Sequence, residues 1–66
     1  MPQPPEFTPY QLASIREAMN MGVTQFAEYL GVTRQTITNW ESGRSVPTGP
    51  ALRVFELLRD KLSHGR

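Results

Sequence analysis

Only Val32 stands between Gly31, which can take the left-handed conformation that ends a helix, and Thr33, which can cap the next one. Helices joined this tightly cannot lie antiparallel and must cross at a steep angle. The flanking periodicity supplies both partners. Val23, Phe26, Ala27 and Leu30 recur at i, i+3, i+4 and i+7 before the junction. After it, Ile37 and Trp40 share one side of a helix that ends at Gly43.

The remainder reads as helix as well. Thr8, Pro9 and Gln11 form a Thr-x-x-Gln capping box with proline at the first helical position. Leu12, Ile15 and Met19 then mark one face, so this helix runs from Pro9 to about Met19 and stops near Asn20-Met21-Gly22. After a polar loop, residues 44–49, Pro50 opens a last helix in which Ala51, Val54, Phe55, Leu58 and Leu62 form a stripe of about 100°. Neither a strand pattern nor an internal repeat is present, and the class is all-α. Residues 1–7 read as a disordered Pro-rich arm, 8–62 as the folded domain and 63–66 as a frayed tail. Phe7 and Tyr10 are expected over the bottom of the core, and Trp40 in it. Tyr29 falls opposite the inward stripe and is expected in solvent. Leu52 and Leu57 flank the last helix's stripe, either as ordinary surface residues or as a self-association surface.

Composition narrows the function classes. A chain of 66 residues holds one small domain and leaves no room for a large catalytic pocket. Cysteine is absent, and the single histidine, His64, lies near the C-terminus. Disulfides, thiolate metal sites and histidine dyads are therefore not expected. With no nucleophile–base pair, metal cluster or phosphate loop in view, the chain does not read as an enzyme, and no cofactor, metal or small-molecule ligand is expected. No apolar run approaches the ~20 residues of a membrane span, and the Pro-rich start is unlike a signal peptide. The expectation is a soluble, cytoplasmic binding protein. Seven basic against six acidic residues give a net charge of +1, so placement of charge must decide the partner.

That placement is informative. With Ile37 inward, Gln35, Thr38, Asn39 and Ser42 point outward, and Arg34 projects from the N-terminal end of the same helix. These are hydrogen-bonding side chains rather than the Glu/Lys mixture of an ordinary solvated face. Between Thr33 and Ser45 there are two arginines and one glutamate, Glu41. A polar, non-acidic face at the start of a short helix is what reading the DNA major groove requires.

Ala27, Leu30-Gly31-Val32-Thr33, Ile37, Trp40-Glu41-x-Gly43-Arg44 and Pro47, in this order and spacing, make residues 9–62 resemble the Cro/C1 (Xre-type) helix-turn-helix repressors. The resemblance implies a small lambda-repressor-like domain of four helices, or five as in many members. It implies base-edge contacts from Arg34, Gln35 and Asn39, with Thr33 and Thr38 as additions. It implies phosphate contacts from Arg44 and, more weakly, Ser42 and Ser45. Arg16 and Glu41 match a family ion pair that ties the first helix to the end of the recognition helix. One departure stands out: Gly22 and Val23 occupy the start of the second helix, where members usually carry a polar side chain for a phosphate. Thr24 or Gln25 is left to replace it. The implied partner is double-stranded DNA, bound as a homodimer on an inverted repeat. The implied role is a repressor, autoregulating its own small operon; the alternative is an antitoxin or other protein-binding module.

Overall fold

The computed structural model describes residues 7–64. Four helices follow one another, α1 (Pro9–Ala18), α2 (Val23–Leu30), α3 (Arg34–Ser42) and α4 (Gly49–His64), with no strand among the described residues. The expected all-α, four-helix class is the observed one.

Local chemistry sets the boundaries. Thr8 Oγ1 accepts from the Gln11 N–H at 3.1 Å while Gln11 Oε1 accepts from the Thr8 N–H at 3.0 Å, closing the capping box of α1. The helix stops where Asn20 takes φ 60°, a left-handed conformation asparagine tolerates better than most residues. Gly31 and Gly43 end α2 and α3 with φ of 76° and 84°. The amide one residue beyond each glycine reaches back across the last turn: Val32 to the Ala27 carbonyl and Arg44 to the Asn39 carbonyl, both at 2.9 Å.

The core gathers around one ring. Phe55 of α4 meets Phe26 of α2 and Trp40 of α3 edge-on, each at 5.7 Å between centroids, and Phe7 at 5.9 Å. Leu12, Ile15, Ala27, Ile37 and Leu58 complete the hydrophobic core, Pro47 of the loop before α4 is buried as well, and no polar or charged residue among those described is buried. Met19, Val23, Leu30, Ala51 and Val54 pack half-buried around it.

Several positions differ from expectation. Tyr10 is 81% exposed, because it lies two residues before Leu12 and so on the opposite side of α1. Phe7 is buried against the core as expected, its ring covered by the Arg59 guanidinium at 5.1 Å, although the expected disordered arm of residues 1–7 includes it. Leu62, assigned to the inward stripe, is 38% exposed in the last turns of α4, where little of the core remains to cover it. That helix begins at Gly49 and runs through Ser63 and His64, where a frayed tail was expected. Of the flanking leucines, Leu52 packs on the core and Leu57 faces solvent. Tyr29 is exposed as expected, yet its ring stacks on Phe26 at 6.3 Å and shields the edge of the core. The expected disorder of residues 1–6 and fraying of 65–66 lie outside the described residues.

Candidate nucleic-acid interface

Helix α3 is held so that its polar side faces out. Ile37 and Trp40 anchor it in the core. Its far end is fastened to α1: Arg16 donates from Nε to Glu41 Oε2 at 2.8 Å and from Nη2 to Glu41 Oε1 at 3.2 Å. The third guanidinium nitrogen, Nη1, donates to the Met21 carbonyl at 3.0 Å, so the same side chain also fixes the α1–α2 connection. These fork-shaped bonds lie in a largely desolvated niche and raise the Arg16 pKa above its ordinary value. The pair is the one implied by the resemblance. It also has an electrostatic consequence: Glu41, the only carboxylate on α3, is already neutralised.

The opposite side of α3 carries Arg34, Gln35 and Ser42 exposed, with Thr38 and Asn39 half-buried. Three internal bonds organise them. Gln35 Nε2 donates to Asn39 Oδ1 at 3.0 Å, the Thr38 hydroxyl to the Gln35 carbonyl at 2.9 Å, and the Ser42 hydroxyl to the Asn39 carbonyl at 3.2 Å. Thr33 is the N-cap, its hydroxyl oxygen accepting from the Thr36 N–H at 3.1 Å and sharing a proton with the Thr36 hydroxyl at 2.8 Å. The i,i+4 spacing of Gln35 and Asn39 was the available signal for their bond, and sequence reasoning passed over it.

Beyond the helix, Arg44 and Ser45 are exposed, their backbone amides both directed at the Asn39 carbonyl. Gly43 lies beside the start of α1, where a Cβ would make ordinary contact with Pro9 Cγ at 3.6 Å. Thr24 and Gln25 stand exposed in the first turn of α2. Gln25 Oε1 accepts from the Gly22 N–H at 3.2 Å, but Gly22 has no side chain to return the bond. The expected residues thus fall into an organised group on and just after α3, and a separate pair at the start of α2.

A charged, hydrogen-bonding helix face with no free carboxylate suits a polyanion whose edges are read by donors and acceptors. The helix-turn-helix family model matches residues 12–55. The chain is 42% identical over 60 residues to antitoxin HigA-2 of Vibrio cholerae, an alignment covering 86% of this chain and 58% of that protein. It is 43% identical over 47 residues to an HTH-type transcriptional regulatory protein of Methanocella arvoryzae, covering 71% and 14%. The chain therefore spans little more than half of one relative and a small part of the other.

Proposed function

The chain belongs to the helix-turn-helix family of Cro/C1-type DNA-binding regulators, and from that premise we propose that it is a sequence-specific transcriptional repressor acting as a homodimer on an inverted repeat. The observation that carries the reading is the outward face of α3, where the lone carboxylate is consumed by Arg16 and Arg34 and Arg44 stand at the two ends. Arg34, Gln35 and Asn39 meet base edges, arginine suiting guanine and the amides adenine. Thr38 contributes a hydroxyl oxygen, while Thr33, occupied as a cap, has a secondary part. Arg44, Ser45 and Ser42 hold phosphates beyond α3, and Thr24 and Gln25 do so at α2 with help from its amide ends. Repression follows from occupying a promoter in the cytoplasm, the chain's own operon being the natural target.

Dimerisation is argued from affinity. A module with a net charge of +1 makes few phosphate contacts, and coupling a second half-site multiplies the effect. Half-sites should lie about 10 bp apart, centre to centre. Selection from random duplex DNA tests the reading. Enrichment of an inverted repeat with that spacing supports it; a single short site keeps base reading and removes the dimer; no enrichment by folded protein refutes it.

The likeness to HigA-2 favours a second reading, an antitoxin that also binds DNA. Co-expression with the product of the neighbouring gene separates the two. Stable co-purification and relief of that protein's toxicity would establish the antitoxin, and their absence would leave the regulator alone.

A further inference from the structure

We propose that Tyr10 is a further DNA-contacting residue, its hydroxyl donating to a backbone phosphate beside the one held by Arg44. The proposal rests on α3 being the base-reading element. Both tyrosines of the chain are exposed, and only one exposure has an account within the fold. Tyr29 stacks its ring on Phe26 and shields the core. Tyr10 is 81% exposed, and its hydroxyl has no hydrogen-bond partner among the described residues.

Its placement gives that exposure a use. The capping box between Thr8 and Gln11 and the ring of Pro9 fix the first turn of α1, so Tyr10 leaves the backbone from a rigid base. That turn adjoins the end of α3, where a Cβ on Gly43 would touch Pro9 Cγ at 3.6 Å. One residue on from these two neighbours stand Tyr10 and Arg44, both exposed. The amides of Arg44 and Ser45 share the Asn39 carbonyl, which holds that segment in place. No acidic residue lies in the first turn of α1 or between Ser42 and Gly49, so this edge offers a phosphate no opposing charge. Tyrosine hydroxyls are among the donors that meet phosphate oxygens, and a rigid ring leaves only two side-chain torsions to order. Such a contact orients the module on the duplex and carries no sequence information.

The test compares wild type, Tyr10→Phe, Tyr10→Ala and Arg44→Ala on the site enriched from random duplexes and on random duplex itself, at several salt concentrations. Tyr10→Phe removes one exposed oxygen and should melt as wild type does. It should bind both duplexes about tenfold more weakly. Its logarithmic salt slope should match that of wild type, because a hydroxyl neutralises no phosphate charge, whereas Arg44→Ala makes the slope shallower. Ethylating single phosphates of the selected site locates the contact. One ethylation beside the Arg44 phosphate should weaken wild type and no longer weaken Tyr10→Phe. Undiminished binding by Tyr10→Phe would overturn the proposal even if Tyr10→Ala were weaker, since a loss confined to alanine puts the contact on the ring. A loss on the selected site alone would make Tyr10 a base reader and overturn it as well. If folded wild type enriches no duplex, the DNA-reading function fails and this role fails with it. Weakening by Arg44→Ala without weakening by Tyr10→Phe removes only the role of Tyr10.

Discussion

Arg34 and Arg44 carry the same charge, and on the proposed reading they do different work because of where the backbone puts them. Arg34 is the first residue of α3, exposed beside the Gln35–Asn39 pair, whereas Arg44 follows the left-handed Gly43 with its amide tied to the Asn39 carbonyl. Arg34→Ala should cost about 1–3 kcal/mol on the selected site and relax preference at one base pair. Equal weakening on the selected site and on random duplex would remove Arg34 from the base readers. Arg44→Ala should weaken every duplex alike and make the logarithmic salt dependence shallower by about one unit, since one phosphate contact and its released counterion are lost. Titrations at several salt concentrations check this, and an unchanged slope would take Arg44 off the phosphate. Neither arginine supports the helix: the structural cation is Arg16, mostly buried and triply bonded.

At the scale of elements, the position of α3 depends on how it ends. Gly43 takes φ 84°, and a Cβ there would meet only Pro9 Cγ at 3.6 Å, an ordinary contact. The cost of Gly43→Ala therefore comes from forcing an L-residue into the left-handed region, about 1–2 kcal/mol. Thermal unfolding should show that loss, and no loss would mean the chain ends α3 by another backbone path. Such local devices were legible because they are local: the Thr8 box, Gly31, Thr33 and Gly43 depend on neighbours within a few residues. Positions that depend on remote packing were harder to place. Tyr10 adjoins a correctly read cap yet points away from the core, and Leu62 fits the stripe of α4 but outruns the body that would bury it. The site divides likewise. The outward set on α3 followed from periodicity once Ile37 was placed inward, whereas the bonds that group those side chains depend on rotamers the pattern does not specify.

The whole molecule turns one edge-stacked core into a platform with an exposed polar helix on one side and an exposed leucine, Leu57, on another. Phe55 explains why this works at such small size: a single ring meets aromatic partners on α2, on α3 and just before α1, so the reading helix and α4 share one packed cluster. A dimer face on α4 would thus be rigidly linked to α3, and the separation of two reading helices would be set by the fold rather than by a flexible tether. Leu57, 53% exposed, is the side chain offered for that face. Because it contributes little to the core, Leu57→Glu and Leu57→Lys should both fold with near-wild-type melting. Both should sediment as monomers and lose the advantage of a paired site over a single half-site. Their charges move in opposite directions, from the native +1 to 0 and to +2 respectively. Random duplex binding should therefore weaken for the glutamate variant and strengthen for the lysine variant. A shared loss on the paired site, against that opposite trend, isolates association from charge. If both variants sediment as dimers, Leu57 lies outside the interface, and the face must be sought elsewhere on the molecule.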